Sequence, residues 1–496
     1  MDVILDSIIS VVHINVIALM LLGIVIGIIA GALPGLTTTM SVVLLTPFTF
    51  ALDPLPGLIM LLGIYIGAMN GGAISAILIN TPGTPASAAT CFDGYPLARQ
   101  GKASLALNVN FVSSTIGGIV SVIVLILVAK QVADFALRIS YFEMFAIAVF
   151  GLSIVASISE KSIVKGLIMG ALGMLISTVG FDPIDAFPRF TYGVTDLFEG
   201  VSYIPLLIGV FAIPEALEQV ATTEQVIKIK EKIRNVFPTK QQLIDLIPSL
   251  SISTIIGIIV GAIPGTGGDI ASFAAYDQAK KISKHPEEFG KGSLEGLAAA
   301  ECANNAVTGG AMIPMLTLGI PGDAVTAILL GALIVHGIHP GPRLFEENPQ
   351  FVYSMYAGFL LASILIFPVC LLGVTLFART VDIPKHFLWP LVVVLCVVGS
   401  FSMSNSLFPV GIMIVAGIIG YLLRLRGFPM GPLILGVILG PLAEENLLNA
   451  LRASSHGRAV EIFASPIALI LFALTILSIL TPVIQSRRKK KLSEQK

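Results

Sequence analysis

Residues 26–35 of the chain, IGIIAGALPG, return with two changes as residues 256–265, IGIIVGAIPG. Each copy is an apolar run that ends on a Pro-Gly pair, Pro34-Gly35 and Pro264-Gly265. Proline interrupts a helix, and a membrane tolerates such an interruption only where neighbouring groups or water satisfy the freed backbone. The repeat therefore predicts two helical halves that are interrupted at the same position.

A second pair of motifs supports this duplication. Asn70-Gly71-Gly72-Ala73 precedes Thr81-Pro82-Gly83, and Thr308-Gly309-Gly310-Ala311 precedes Ile320-Pro321-Gly322. The offset between the copies grows from 230 residues at the Pro-Gly pairs to 239 at Pro82-Gly83 and Pro321-Gly322. We interpret the chain as a diverged duplication that has acquired small insertions.

The composition places the chain in a membrane. Of its 496 residues, 55% are apolar and 12% are charged, about half the charged share of a soluble protein, and the mean hydropathy is +0.93. Apolar stretches of about 18 or more residues, long enough to cross a bilayer, recur along the chain. These values exclude a soluble enzyme, a nucleic-acid-binding protein, a disordered scaffold and a protein with a single membrane anchor. We expect an all-α polytopic membrane protein.

The apolar segments predict about 11 membrane crossings plus two re-entrant hairpins, one at each Pro-Gly pair. With the N-terminus outside, 23 of the 29 Lys and Arg residues fall in inside segments, which favours a cytoplasmic C-terminus. Five crossings separate the hairpins, so the two halves are expected to be inverted relative to each other. Hairpins that span the membrane fully are an alternative that the charges leave open.

The predicted organisation has four parts. They are a first inverted repeat at 1–221, with a hairpin at 15–52 and a broken helix at 57–92; a basic cytoplasmic linker at 222–241; a second inverted repeat at 242–484, with a hairpin at 242–275 and a broken helix at 294–336; and a basic cytoplasmic tail at 485–496.

Inverted repeats with broken helices are typical of secondary transporters. The free N–H groups at a helix N-terminus attract an anion. The small residues could instead serve only to let helices approach closely. Four interruptions in two matched pairs, each flanked by hydroxyls or amides, favour a binding site. The predicted substrate-binding residues are Gly31, Pro34, Gly35, Thr37, Thr38, Asn80, Thr81, Pro82, Gly83, Gly261, Pro264, Gly265, Thr266, Gly267, Pro321 and Gly322.

A further set of polar side chains near the interruptions could bind a coupling cation. A carboxylate inside a membrane is costly and usually functional. Each carboxylate could instead cap a helix N-terminus. We favour capping for Asp269 and Asp323, whereas for Glu301 capping and cation binding are equally well supported. No Lys or Arg lies near the Pro-Gly pairs, so an anion there would rely on backbone donors and hydroxyls. The cation candidates are Asn70, Asp269, Glu301, Asn304, Asn305, Thr308 and Asp323.

Four motifs together resemble the large membrane subunit of the tripartite tricarboxylate transporters, over about residues 15–480. The motifs are Gly31-Ala32-Leu33-Pro34-Gly35, Asn80-Thr81-Pro82-Gly83, Gly261-Ala262-Ile263-Pro264-Gly265-Thr266-Gly267 and Gly319-Ile320-Pro321-Gly322-Asp323. The resemblance implies a multi-pass permease of the cell inner membrane that imports a small di- or tricarboxylate, such as citrate, with a sodium or proton gradient. It also implies a small membrane subunit and a periplasmic binding protein as partners.

Two other functions stay open at this stage, an anion channel lined by the same broken segments and a membrane scaffold subunit without transport. An enzyme is not expected. No Gly-Lys-Ser/Thr follows the glycine-rich segment 261–268, and HExxH and GxSxG do not occur. We expect no cofactor, no metal site and no nucleic-acid partner.

Overall fold

The computed structural model describes residues 2–158, 162–182, 185–221, 233–234, 236–383, 385–453 and 465–493. Most of the predicted basic linker at 222–241 lies outside these residues. The side chains of the predicted tail at 485–496 also lie outside them.

The described chain is almost entirely helical, which confirms the all-α polytopic fold. Its α-helices are α1 Asp2–Val11, α2 Ile14–Ala32, α3 Thr38–Thr49, α4 Pro54–Ile79, α5 Cys91–Leu97, α6 Ala103–Ala136, α7 Tyr141–Ile158, α8 Ile163–Ser177, α9 Tyr203–Ala221, α10 Lys240–Ala262, α11 Gly268–Ile282, α12 Leu294–Leu318, α13 Ala324–Val335, α14 Leu344–Glu347, α15 Pro349–Thr380, α16 Lys385–Ser402, α17 Leu407–Leu425, α18 Met430–Ala453 and α19 Pro466–Ser493.

The remaining regular structure is short. A π-helical segment at Ala98–Lys102 joins α5 to α6, and single 3-10 turns occupy Pro85–Ser87, Thr195–Leu197 and Pro286–Glu288. Strands β1, Gly180–Phe181, and β2, Pro188–Arg189, form an antiparallel pair in which Gly180 lies opposite Arg189.

Seven helices of the described chain are long and apolar enough to cross a membrane. They are Ile14–Ala32, Pro54–Ile79, Cys91–Ala136, Lys240–Ala262, Pro349–Thr380, Leu407–Leu425 and Met430–Ala453. The helix Pro54–Ile79 differs from the others because its apolar window is completely buried in the protein. Its hydrophobic residues therefore pack against other helices. Further apolar helices are shorter, and the number of crossings stays a prediction.

The chain forms two compact units, one made of residues 1–133 and 215–405 and the other of residues 134–214 and 406–496. Each unit takes residues from both predicted repeats. In the second unit α18 packs against α7 and α8, and α7 packs against α19.

An ion-pair cluster lies at the small sheet of the second unit. Arg189 is 3.2 Å from Asp182, and its guanidinium donates two hydrogen bonds to Glu444, one of them 3.1 Å long. The hydrogen bonds that Arg189 donates to Glu444, followed by the charges of both carboxylates, raise the pKa of Arg189. The cluster ties β2 to α18.

In the first unit, α2 packs along α4 and α10 packs along α12. Gly27 of α2 lies directly against the backbone carbonyl of Ile64, and Gly257 of α10 lies in the same way against the carbonyl of Ala303. Ile64 and Ala303 are separated by the same 239 residues as the second pair of sequence motifs. The duplication seen in the sequence is therefore repeated in the packing of these two helix pairs.

Candidate functional site

The first Pro-Gly turn connects α2 to α3. The chain leaves the helix at Leu33 and turns at Gly35, whose φ is +93°, a region that glycine enters without steric cost. Thr37 then caps α3, because its side chain accepts a hydrogen bond of 3.2 Å from the N–H of Met40. The turn thus ends where the free N–H groups of α3 begin.

The second Pro-Gly turn connects α10 to α11 with matching geometry. Gly265 has a φ of +76° and Gly267, which precedes α11, has a φ of +145°. The Thr266 hydroxyl donates to the carbonyls of Val260 and Ile263, the latter at 2.9 Å. This hydroxyl therefore satisfies carbonyls at the end of α10, which have lost their helical partners.

The first broken helix is interrupted between α4 and the 3-10 turn at Pro85–Ser87. Asn80 ends α4 in the left-handed conformation, with a φ of 56°. The N–H of Gly83 donates to the carbonyl of Gly72 at 3.1 Å, and a Cβ on Gly83 would overlap the carbonyl oxygen of Gly31. The interruption is thus packed directly on the end of α2, next to the first Pro-Gly turn.

The second broken helix repeats this arrangement between α12 and α13. Gly319 ends α12 with a φ of 70°, at the position that corresponds to Asn80. A Cβ on Gly322 would overlap the carbonyl oxygen of Gly261, and the Gly322 carbonyl accepts a hydrogen bond of 2.8 Å from the N–H of Gly265. In each half, the interruption of the broken helix therefore packs directly against the end of the helix that leads into the Pro-Gly turn.

The two halves also meet each other. Helix α3 of the first half packs against α13, and α11 of the second half packs against the turn at Pro85–Ser87. Tyr65 of α4 donates a hydrogen bond of 2.5 Å from its hydroxyl to Asp323. Each Pro-Gly turn therefore leads into a helix that contacts the broken helix of the other half.

The predicted substrate-binding residues differ in exposure. Asn80 is exposed, Thr37 and Thr81 are half-buried, and Thr38 and Thr266 are buried. The Thr38 hydroxyl lies 3.7 Å from the sulfur of Met69, to which it donates. The exposed and half-buried members are the ones that a ligand could reach without a rearrangement.

Four of the cation candidates have local or cross-helix partners. Asp323 accepts from the N–H of Thr326 at 2.7 Å, and the two residues form a capping box at the start of α13. Asn305 and Thr308 both donate to carbonyls of their own helix. Asn70 accepts a hydrogen bond of 3.3 Å from Asn110 of α6. Asp323 thus has the capping geometry that the alternative interpretation described.

Two other cation candidates, Glu301 and Asn304, each have a buried side-chain oxygen without a hydrogen-bond partner among the described residues. Glu301 is completely buried and accepts a hydrogen bond from the Thr90 hydroxyl. Asn304 donates to the carbonyl of Met69 at 3.4 Å, and its amide oxygen lies beside Gly268 at the start of α11. Asp269 follows in the first turn of α11.

Several polar residues of this region were missed by the sequence analysis. Thr90 and Tyr65 bond directly to the predicted carboxylates, and Asn110 and Ser114 extend the polar contacts of Asn70 into α6. The available signal was the occurrence of amides and hydroxyls inside an otherwise apolar helix, at Asn108-Val109-Asn110 and Ser113-Ser114.

A cavity of about 690 Å³ in the first unit lies elsewhere. It is lined by polar residues such as Asp245, Lys284 and Glu295, and by none of the predicted site residues. The segments 31–39, 80–87, 261–269 and 319–326, which hold the interruptions, contain no Lys or Arg, so the positive potential available to an anion there comes from helix N-termini. The charged side chains in these segments are the carboxylates of Asp269 and Asp323.

Residues 17–435 match the family model described as the tripartite tricarboxylate transporter TctA family. The chain belongs to this family. The match spans both Pro-Gly turns and both broken helices, so the duplicated region lies wholly within the family domain. The TctA-family chain is accordingly a multi-pass membrane protein and the membrane subunit of a transporter.

Two curated relatives of this TctA-family chain come from Agrobacterium vitis. One, described as an "Uncharacterized 52.8 kDa protein in TAR-I ttuC' 3'region", is 38% identical over 477 residues, which are 95% of either chain. The other, an "Uncharacterized protein in TAR-II ttuC' 3'region", is 38% identical over 235 residues, 47% of this chain and 97% of the relative. No solved structure gives a significant match.

Proposed function

We propose that this TctA-family chain is the permease subunit of a secondary transporter that imports a small di- or tricarboxylate with a sodium or proton gradient. The carboxylate is delivered by a periplasmic binding protein, and a small membrane subunit completes the complex. The chain moves its substrate across the inner membrane without chemical change, so no catalytic residue or cofactor is involved.

The observation that carries the proposal is the meeting of four helix interruptions in two matched pairs. Helices α3, α11 and α13 each begin at one of these interruptions, and a helix N-terminus presents free N–H donors and a positive dipole end to an anion. A small carboxylate is an anion that backbone N–H groups and hydroxyls can bind without a fixed positive charge. Thr37, Asn80, Thr81 and Thr266 supply the polar side chains at these helix ends.

Uptake of a radiolabelled carboxylate into proteoliposomes that contain the complete transporter tests the assignment. The variants Thr37→Ala and Asn80→Ala are expected to lower uptake at least about tenfold, because a lost hydrogen bond to a charged group costs about 1.5–3 kcal/mol. Thr178→Ala in the second unit is the control, since within the described residues its hydroxyl bonds to the carbonyl of Leu175 at the end of α8, far along the chain from the interruptions. Unchanged uptake in both site variants would contradict the assignment.

The same vesicles separate a transporter from a channel. A gradient-driven permease shows saturable uptake that an ionophore abolishes and that requires the binding protein. Flux that rises linearly with substrate concentration and does not need the binding protein would instead indicate a pore.

A further inference from the structure

Four carboxylates among the described residues of the first unit are buried, and they differ in the hydrogen bonds they accept. Glu215 accepts one of 3.0 Å from the side-chain amide of Gln219. Asp93 accepts four, from the Tyr276 hydroxyl and from the N–H groups of Gly290, Gly292 and Ser293. Asp323 accepts from Tyr65 and Thr326.

Glu301 has a different environment. Thr90 donates to its Oε1 atom, but Oε2 is buried and has no hydrogen-bond partner among the described residues. Of these four buried carboxylates, Glu301 is the one with an unsatisfied oxygen in the described part of the chain. Burial of an ionised carboxylate with so few donors is costly, since no nearby positive charge or full set of hydrogen bonds replaces its water.

A second unsatisfied atom lies on the next turn of α12. Asn304 Oδ1 is also buried without a partner within the described part of the chain. The side chains of Asn304 and Ser114 are close enough to interact with the Glu301 carboxyl. Both unsatisfied atoms are acceptors, so what they lack is a hydrogen. One proton on Oε2 would turn Glu301 into a donor, and Asn304 Oδ1 is a buried acceptor without a partner on the next turn of the same helix that could receive this hydrogen.

The other titratable groups around Glu301 do not offer a compensating positive charge. Its charge interacts with the thiols of Cys91 on α5 and Cys302 on α12. On the helices that pack against α12, Asp93 is bonded to Tyr276 and Asp323 to Tyr65, and Asp269 opens α11. Lys and Arg are absent from the groups that interact with this carboxyl in the described residues.

The position of Glu301 connects it to the proposed substrate site. Asn304 donates to the carbonyl of Met69 in α4, and its Oδ1 atom lies beside Gly268, where α11 begins after the second Pro-Gly turn. Thr90 belongs to the first broken helix, between the 3-10 turn at Pro85–Ser87 and the start of α5. A change in the charge of Glu301 would therefore affect contacts that its neighbours make with both halves of the duplicated chain.

We propose that Glu301 is the group that binds the coupling proton of this transporter. This proposal rests on the proposed function. The carboxylate takes one proton from water on the outer side, forming the neutral acid that bonds to Asn304, and releases the same proton to water on the cytoplasmic side. The protein thereby carries one proton inward with the substrate, without any co-reactant.

The test uses the complete transporter in proteoliposomes and two measurements. One is net uptake driven by an imposed pH gradient, with internal acidification followed by a trapped dye. The other is exchange of external labelled substrate for internal unlabelled substrate at equal pH. Glu301→Gln resembles the protonated acid, so it is expected to lower net uptake and acidification at least about tenfold while exchange stays within about twofold.

Glu295→Gln is the matched control, because Glu295 lies on the same helix, is half-buried and accepts a hydrogen bond from Ser249. Its net uptake and exchange are both expected to stay at the wild-type level. Proton-driven net uptake that survives in Glu301→Gln would overturn the proposal. So would loss of exchange in Glu301→Gln with unchanged thermal unfolding, since that would make Glu301 a substrate ligand.

Thr90→Val provides an independent variant if Glu301→Gln does not fold. It removes the donor that stabilises the charged carboxylate, so the pH at which uptake is half-maximal should move upward. An unchanged pH profile would contradict the proposal. Wild-type uptake that requires sodium and produces no acidification would also overturn it, while leaving the proposed import intact. Absence of both uptake and exchange in the wild-type complex would instead contradict the proposed function.

Discussion

Asp93 and Glu301 are both completely buried carboxylates, yet only one of them is surrounded by donors. Asp93 lies in α5 and accepts three backbone N–H bonds of 2.8 Å from the segment that precedes α12. It also accepts from Tyr276, whose pKa is raised by burial first and by the charge of Asp93 second. At the residue scale, Asp93 therefore acts as a structural link between α5 and the start of α12.

Asp93→Asn is expected to destabilise the protein by about 3 kcal/mol, because a neutral amide oxygen in the place of Oδ1 is a weaker acceptor for the three N–H groups, and the NH2 group in the place of Oδ2 cannot accept from Tyr276. Thermal unfolding of the purified protein in detergent measures the effect. Asp277→Asn is the control, since Asp277 is exposed and its ion pair with Lys281 is worth at most about 0.5 kcal/mol. Equal losses in the two variants would show that the Asp93 contacts do not support the fold.

Gly83 illustrates a backbone contact that no side chain can replace. A Cβ there would overlap the Gly31 carbonyl, so Gly83→Ala should lower stability by about 1–3 kcal/mol and reduce uptake. A Cβ on Gly411 in α17 would meet no atom within 4 Å, and Gly411→Ala should be neutral or stabilising by up to about 1 kcal/mol. Thermal unfolding of the pair tests the contrast, and a neutral Gly83→Ala would refute the close packing.

At the element scale, the two halves are joined through the starts and ends of their broken helices. The hydroxyl of Tyr65 in α4 bonds to Asp323, which at the same time caps α13. Helix α4 is buried along its apolar length, so its contacts are made with protein on all sides. The start of α13, directly after the second interruption, is therefore stabilised in part by a hydrogen bond from the first half of the chain.

A double-mutant cycle measures this connection between elements. Tyr65→Phe and Asp323→Asn each remove the bond, while asparagine keeps the ability to cap α13. The double variant should be less destabilised than the sum of the single variants by about 1–3 kcal/mol. Measurement is by unfolding free energy in a denaturing detergent titration, and strict additivity would argue against a direct bond between the two residues.

At the scale of the whole molecule, the distribution of Lys and Arg predicts which loops face the cytoplasm. Lys284 follows α11 and Arg343 precedes α14, and both are exposed. The re-entrant interpretation puts Lys284 inside and Arg343 outside. Two full crossings by α10 and α11 would return the chain to the same side, so these two positions keep their sides under either interpretation of the hairpins and report the orientation of the chain.

Cysteine labelling tests this orientation. A membrane-impermeant maleimide applied to right-side-out vesicles should label Arg343→Cys at least about tenfold more than Lys284→Cys. Inside-out vesicles should show the reverse order. Wild-type protein corrects for labelling of Cys91, the half-buried one of the four native cysteines. Reversed labelling of the two variants would overturn the predicted orientation, with the N-terminus outside and the C-terminus in the cytoplasm.

The sequence by itself determined the fold class, the duplicated organisation and the places where helices are interrupted. These properties depend on hydropathy and on proline and glycine, whose effects extend over a few residues of chain. The turns at Gly35 and Gly265 and the left-handed residues Asn80 and Gly319 lie where the two copies of each motif predict an interruption.

Only the tertiary structure decided which distant residues meet there. Tyr65 reaches Asp323 across 258 residues of chain, and Thr90 reaches Glu301 across 211. The sequence also did not predict that residues 134–214 group with residues 406–496 in one unit. Such partners follow from how helices cross, and a crossing depends on the shapes of both surfaces, which neither segment encodes alone.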